Sequence, residues 1–181
     1  MLKTIIRVLC LGIFAFAAVG CGNDGGSSSS GDVYTVNDVQ KISLAQKDAG
    51  FDIKLPSQLP KDYKFQSVQY VPEQQAITVQ YIWNNSNFNG EMIFLTQQKV
   101  NPMVRYGKDA IVEDVLLGNL WAKFVQGSDN NGVWQNDAPV YWLRWEAHGY
   151  FFTLVYTGNE STSKGWMTKD QFVKLAEQLL W

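Results

Sequence analysis

The chain has 181 residues, of which 15 are basic and 17 acidic, so its formal net charge at pH 7 is −2. With no basic stripe, this balance argues against nucleic acid and anionic lipid headgroups as electrostatic partners. The two cysteines, Cys10 and Cys21, both precede the aromatic-rich part of the chain. A domain that begins after them can contain neither a disulfide nor a thiolate metal site.

The first twenty residues have the pattern of an export signal. Lys3 and Arg7 flank the start of an apolar stretch, Ile5 to Val19, which is shorter than the roughly twenty residues that a membrane-spanning helix needs. Small residues, Ala18-Val19-Gly20, stand directly before Cys21. This segment resembles the lipobox of bacterial lipoproteins, although the first lipobox position is usually Leu. The resemblance implies that Cys21 receives diacylglycerol and becomes the first residue of the mature protein.

An ordinary signal peptide, cut near Gly20, is the alternative. Cleavage would remove two basic residues and no acidic one, so the mature chain would carry a net charge of −4.

Residues 22–31 contain only Gly, Ser, Asn and Asp, a composition typical of a flexible tether with a reach on the order of 15–20 Å. We therefore predict a signal peptide (1–20), a lipidated cysteine with its tether (21–33) and one globular domain (34–181).

These features predict a location on the extracytoplasmic face of the cell membrane. The anchor would be a covalent lipid on Cys21, with acyl chains such as palmitate. The pattern does not distinguish a Gram-positive membrane from outer-membrane anchoring.

The domain is predicted to open with a helix and an extended arm. Apolar residues recur at helical spacing over 37–49, and Gly50 provides a C-terminal stop. The segment 51–60 contains two prolines, which exclude both a helix and a central strand there. We expect an arm pinned by Phe51, Ile53 and Leu55.

From Phe65 onward the apolar period becomes two, which predicts strands. They are expected near 65–70, 77–83, 91–97, 111–117 and 120–125, with polar loops at 84–90 and 126–139. Gly118-Asn119 suits a tight turn with glycine first. That turn places Asp114 opposite Lys123 as a cross-strand ion pair.

The last hairpin has the clearest register. Strands 140–147 and 150–156 are separated only by His148-Gly149, so a two-residue turn pairs Ala147 with Tyr150 and every second residue beyond them. One face, here called the first face, then carries Tyr141, Leu143, Trp145, Ala147, Tyr150, Phe152, Leu154 and Tyr156. The second face carries Trp142, Arg144, Glu146, Phe151, Thr153 and Val155. Because the second face is half apolar, we expect another element to cover it, with Arg144 and Glu146 solvated.

The chain is predicted to close with a helix. Thr168 and Gln171 form a capping box ahead of an apolar stripe made by Phe172, Leu175, Ala176 and Leu179. We expect this stripe to cover the second face. The fold class predicted is α+β: a single antiparallel sheet of about six to seven strands, curved or half-barrel, flanked by an N-terminal and a C-terminal helix.

The segment Phe51-Asp52-Ile53-Lys54-Leu55-Pro56-Ser57, followed by Leu59-Pro60 and Tyr63, resembles the opening of a domain-of-unknown-function family common in Gram-positive bacteria. The family usually has Gly where this chain has Asp62. The resemblance covers roughly residues 45–181 and implies a lone lipoprotein or an anti-sigma-factor-like extracytoplasmic tail, distantly similar to lipoprotein-carrier half barrels. It brings no catalytic residues.

No catalytic constellation, metal site or cofactor motif is predicted. His148 is the single histidine, and its place in a two-residue turn favours a conformational role. The oxygen-rich segment 129–132 fails the EF-hand pattern, because glycine falls at position four and valine at position twelve, so we expect a surface turn.

Aromatic residues are the remaining candidates for function. Trp121 and Trp145 are expected in the core. The candidate ligand-binding residues are Trp83, Trp134, Trp142, Phe151 and Val155, because aromatics beside polar loops or on a half-apolar face can form platforms or pockets.

Three functions stay open. The first is a non-catalytic binding or sensing module for a protein, a glycan or a cell-wall component, acting through the 84–90 and 126–139 loops. The second is a carrier-like domain that shelters an acyl chain or another apolar ligand beside Trp142, Phe151 and Val155. The third is an enzyme, which would need polar side chains converging in one cleft.

Overall fold

A computed structural model describes residues 36–83, 90–158 and 167–180. The signal peptide, Cys21, the tether and residues 84–89 of the first polar loop lie outside this part. The elements in chain order are α1 (Val36–Ala49), β1 (Tyr63–Val71), β2 (Ala76–Trp83), β3 (Met92–Gln98), β4 (Val112–Leu117), β5 (Leu120–Gln126), β6 (Ser128–Asn130), β7 (Val133–Gln135), β8 (Val140–Ala147), β9 (Tyr150–Thr157) and α2 (Lys169–Glu177). No helix in these ranges is long and apolar enough to cross a membrane.

Seven strands form one open antiparallel sheet in the order β1-β2-β3-β9-β8-β5-β4. This confirms the predicted α+β class, with a single main sheet and a helix near each end. The strands β6 and β7 form a separate small hairpin within the segment predicted as a polar loop. Asn131 and Gly132 take the positive φ values that its turn needs, and the Gly132 amide donates to Asp129 Oδ1 at 2.8 Å. The predicted surface turn at 129–132 is therefore confirmed.

The predicted register of the last hairpin is confirmed at every pair, from Ala147 with Tyr150 to Tyr141 with Tyr156. Its turn residues, His148 and Gly149, have φ values of +51° and +75°. Two successive positive φ values are typical of the type I′ turn, whose twist matches that of the strands. The conformational role predicted for His148 is confirmed by this backbone geometry.

Both helices pack on the first face, together with the arm. The core on that face is nearly continuous and consists of Ile42, Phe51, Ile53, Val79, Leu95, Phe124, Leu143, Leu154, Phe172 and Leu175 with their neighbours. Phe172 of α2 reaches the rings of Tyr141 and Phe124, with centroid distances of 5.8 and 6.5 Å. The predicted capping box of Thr168 and Gln171 is present at the start of this helix.

The expectation that α2 covers the second face is therefore wrong. The stripe of α2 is apolar and finds an apolar partner surface on the first face. The second face carries Lys123, Arg144 and Glu146, whose charged groups would lose water beneath an apolar helix. The free-energy cost of burying these charges therefore explains why α2 packs on the first face.

The arm is held to the sheet by a buried glutamine. The Lys54 amide donates to Gln97 Oε1 at 2.8 Å, and Gln97 Nε2 donates to the Asp52 carbonyl at 3.0 Å. Gln97 has no exposed surface, so these bonds satisfy a side chain that would otherwise be costly to bury. With Phe51 and Ile53 buried and Leu55 partly buried, the predicted pinning of the arm is confirmed.

The turn between the arm and β1 gives Asp62 a backbone conformation that favours glycine. The Tyr63 amide donates to the Pro60 carbonyl at 3.1 Å, so residues 60–63 form a β-turn. Asp62, at the third position, has a φ of +69°. A positive φ at this position favours glycine, although Asp tolerates it better than most residues.

Replacing Asp62 tests this strain. We expect Asp62→Gly to raise the free energy of unfolding by about 0.5 kcal/mol, because glycine takes a positive φ without a clash between Cβ and the backbone. We expect Asp62→Ala to lower it by about 0.5 kcal/mol, since alanine lacks the local hydrogen bonding that helps Asp in this region. Urea unfolding of the three chains measures both changes. Equal stability of the Gly and Ala variants would contradict the argument.

Candidate ligand-binding site

The second face is covered in part by residues 99–111, which connect β3 to β4. The guanidinium of Arg144 donates from Nη2 to the Pro102 carbonyl at 2.9 Å. The ring of Tyr106 meets the ring of Trp142 edge-on, with 6.4 Å between centroids. Arg144 is therefore half-buried beneath this segment, and the expectation that it is solvated is wrong; Glu146 is exposed, as predicted.

The β6–β7 hairpin completes this cover. Trp134 of β7 contacts Tyr106 edge-on at 6.0 Å, and its Nε1 donates to the Gln126 carbonyl at 3.3 Å. The indole N–H of Trp142 donates to the Gly127 carbonyl at 3.0 Å. We call Tyr106 and Trp134, which lie over Trp142, the aromatic cover. Trp134 and Trp142 were predicted as candidate ligand-binding residues, but their indole N–H groups donate within the protein.

Two glycines allow Trp134 to pack so closely. A Cβ at Gly107 would lie 2.6 Å from the Cβ of Trp134, and a Cβ at Gly127 would lie 2.6 Å from its Nε1. Gly127 also has a φ of +121°. Both distances are shorter than real Cβ contacts, so these positions exclude any side chain.

Burial within the cover raises the pKa of the Tyr106 hydroxyl, although the nearby Arg144 guanidinium opposes this effect. The phenol therefore stays protonated at neutral pH and contributes packing and a neutral dipole. Arg144 keeps its charge beside it, as Arg does in proteins.

Beside the cover, the second face is open as a groove of about 240 Å³. We call it the second-face groove, and define it by Asn101, Trp121, Lys123, Arg144, Glu146 and Phe151. The backbone neighbours Trp145 and Phe152 also border it, although their side chains lie in the core. The groove combines two aromatic rings with one amide, two cations and one carboxylate.

Strand register explains how these side chains meet. Lys123 on β5 lies directly opposite Arg144 on β8, and Arg144 lies opposite Thr153 on β9. Glu146 faces Phe151 in the same way. Adjacent antiparallel strands lie about 4.8 Å apart, so side chains on one face of three neighbouring strands form a compact patch.

The two cations, opposite each other, would repel without partners. Lys123 pairs with Asp114 of β4 at 2.6 Å, which confirms the predicted cross-strand ion pair. Both side chains are more than half exposed, so the pair adds little to stability. Its effect is local, because it neutralises Lys123 at the edge of the groove.

Trp121 was expected in the core, and this expectation is wrong. Its side chain is 68% exposed, whereas Trp145 is 4% exposed and confirms its predicted place. Strand alternation contains the signal that was missed. Ala122 and Phe124 point to the first face, so Trp121 and Lys123 between them must point to the second.

The structure brings together only some of the predicted ligand-binding residues. Trp142 and Val155 are cross-strand partners under or beside the aromatic cover, and Trp134 belongs to that cover. Phe151 lies in the second-face groove. Trp83 lies apart from these residues, at the end of β2 opposite Tyr63.

A second polar cluster lies beside Trp83. The Tyr63 hydroxyl donates to Glu91 Oε2 at 2.6 Å, and the Met167 amide donates to the Tyr156 hydroxyl at 3.2 Å. Burial first, and then the Glu91 carboxylate, raise the pKa of Tyr63 far above its usual value, and the pKa of Tyr156 is raised mainly by burial. Such phenols hold their protons, so the cluster is better suited to fastening strands than to accepting protons from a substrate.

Metal ligation finds no support in the described ranges, since no three His, Cys, Asp or Glu side chains there are grouped to hold an ion.

One comparison with known proteins is informative. A family model described as a domain of unknown function, DUF4367, matches residues 53–179. No curated protein and no solved structure gives a significant match to the chain. The matched segment runs from the arm through α2, so it includes the aromatic cover and the second-face groove.

The close packing of the β6–β7 hairpin can be tested at Gly127. We expect Gly127→Ala to lower the free energy of unfolding by about 2–4 kcal/mol, because the new Cβ meets Trp134 and the Gln135 carbonyl and also takes a strained φ. Gly132→Ala is the matched control, since Gly132 has a positive φ of +84° with open space around it. Thermal and urea unfolding measure the difference. A loss no larger than that of Gly132→Ala would show that Trp134 can move away at little cost.

Proposed function

We propose that this chain, which belongs to the DUF4367 family, is a lipid-anchored extracytoplasmic protein whose domain binds a ligand without catalysing a reaction. The resemblance to a family of unknown function, read from the arm sequence, is confirmed by the match. A setting among lipoproteins or anti-sigma-factor-like tails remains part of the proposal.

The sequence alone supports the anchor. The basic start, the short apolar stretch and the small residues before Cys21 match the requirements of export followed by lipid attachment. The Gly/Ser-rich segment after Cys21 has nothing apolar to bury, so it suits a spacer between a membrane and a folded domain. Two acyl chains hold a protein to a bilayer far more durably than one.

The observation that carries the binding role is the exposure of Trp121 in the second-face groove. The Trp121 side chain is 68% exposed, whereas most large aromatic side chains are largely buried and stabilise the fold by their burial. It lines the groove together with Phe151 and charged side chains, on a face that neither helix covers. Ligand sites combine aromatic and other apolar side chains with a small number of polar groups, and this groove contains both kinds.

The chemistry of the described polar groups supports binding rather than catalysis. The buried phenols of Tyr63 and Tyr156 hold their protons, because their pKa values are raised. In the groove, Arg144 is fixed by a backbone carbonyl and Lys123 by a carboxylate. Such groups can orient a ligand through hydrogen bonds, and none is arranged as a nucleophile with its base.

A carrier of acyl chains is the second candidate. Trp142, Val155 and Phe94 are successive cross-strand partners and form an apolar row on the second face. All three are half-buried, and the aromatic cover already packs on Trp142. An acyl chain would therefore have to displace the cover or use the row beyond it, toward Phe94.

Metabolic labelling tests the anchor. When the full chain is expressed in a bacterium fed an alkyne-tagged fatty acid, we expect label on the wild-type chain and none on Cys21→Ser, because the thioether to the lipid cannot form. Cys10→Ser is the matched control and should keep its label, since that residue would leave with the signal peptide. Label retained on Cys21→Ser would contradict the proposed attachment site.

Native mass spectrometry distinguishes the binding module from the carrier. The Cys21→Ser chain, purified gently after export, carries no covalent lipid under the proposal, so any lipid mass reports non-covalent binding. We expect a mass without an adduct. An adduct of fatty-acid or phospholipid mass that Val155→Asp abolishes, and that the surface variant Val133→Asp leaves in place, would favour the carrier.

A further inference from the structure

We propose that the second-face groove is a subsite for an uncharged polysaccharide, with Trp121 as the platform on which a sugar ring stacks. This inference rests on the proposed function, since it names the ligand of that binding module. It is carried by the exposure of Trp121, the nature of the polar groups around it and the balance of their charges.

Trp121 supplies a stacking surface of the right kind. The face of an indole ring carries partial negative charge, and the C–H groups on one side of a pyranose ring carry partial positive charge. Stacking of this kind needs a ring that is accessible before the ligand arrives. Trp121 meets that requirement, whereas the rings of Trp134 and Trp142 pack against Tyr106.

The groups around Trp121 match the hydroxyls of a sugar, each of which both donates and accepts hydrogen bonds. Lys123 and Arg144 offer donors, the Glu146 carboxylate accepts, and the Asn101 amide does both. An acyl chain would displace water from these polar groups and offer no hydrogen bonds in its place, at a cost in free energy.

The charges favour an uncharged ligand. Lys123 is neutralised by Asp114, and the rest of the groove lining holds one cation, Arg144, and one carboxylate, Glu146, so the charges balance. An anionic polymer would meet the carboxylates of Asp114 and Glu146, and a cationic one would meet Lys123 and Arg144. An uncharged chain avoids both repulsions and keeps the hydrogen bonds.

The shape of the groove favours a polymer over an enclosed small molecule. The groove is open to solvent rather than enclosed, and Asn101 of residues 99–111 lines it near the bond from Arg144 to Pro102. An open groove can hold part of a long chain without enclosing the rest of it. Phe151 lies two strands away from Trp121, roughly 10 Å across the sheet, and offers a second apolar contact.

The test measures binding of two soluble probes, β-1,4-linked hexamers of glucose and of N-acetylglucosamine, to the full Cys21→Ser chain by calorimetry. We expect at least one hexamer to bind, Trp121→Ala to weaken that binding tenfold or more, and Trp121→Phe to weaken it less. Glu146→Ala should weaken it severalfold. Because these side chains are exposed, the variants should unfold at the temperature of the parent chain.

Val133→Ala is the matched control. Val133 is similarly exposed but lies on the β6–β7 hairpin, outside the groove, so its replacement should leave binding unchanged. Polygalacturonate serves as the anionic probe. Binding of polygalacturonate in preference to both hexamers would overturn the inference that the ligand is uncharged.

Two other outcomes would also overturn the inference. If neither hexamer binds the parent chain, the groove is not a subsite for these polymers. If a hexamer binds and Trp121→Ala binds it equally well, the saccharide site lies elsewhere, and the proposed binding module survives without this groove. Loss of fatty-acid label from Cys21→Ser is independent of all these results, so the anchor and the ligand are judged separately.

Discussion

The register of the β8–β9 hairpin is the constraint on which the rest of the domain depends. A two-residue turn at His148-Gly149 leaves one pairing in which all the buried apolar side chains of both strands reach the same face. A shift by one residue would place Arg144 and Glu146 among those side chains, where their charges would lose water. The neighbouring strands β3 and β5 pair with this hairpin and extend the same division of faces across the sheet.

That division determines where the other elements go. The arm, α1 and α2 all have apolar residues to bury, and the first face offers them a nearly continuous apolar surface. Gln97 is a polar exception among the buried side chains of the first face. As a buried polar side chain on that face, it binds the backbone of the arm and so fastens a segment whose prolines exclude regular pairing.

The second face is covered only in part, by residues 99–111 and the β6–β7 hairpin. The part around Trp142 therefore differs from the part around Arg144. Over Trp142, the aromatic cover closes the face, and Gly107 and Gly127 allow the close approach of Trp134. Beside Arg144 the cover ends, and a groove with an exposed tryptophan begins.

The amino-acid sequence by itself determined the features that depend on neighbours along the chain. These include the hairpin registers, the Asp114–Lys123 pair, the pinned arm and the capping box of α2, because alternation, turn residues and capping act over a few positions. The exposure of Trp121 was also readable from alternation, since it shares a face with Lys123. Only the tertiary structure decided which face α2 covers, that residues 99–111 and the β6–β7 hairpin lie over Trp142, and that a groove remains beside Arg144. Those outcomes depend on which surfaces, far apart in the sequence, are most favourably buried against each other. A local sequence pattern carries no information about that choice.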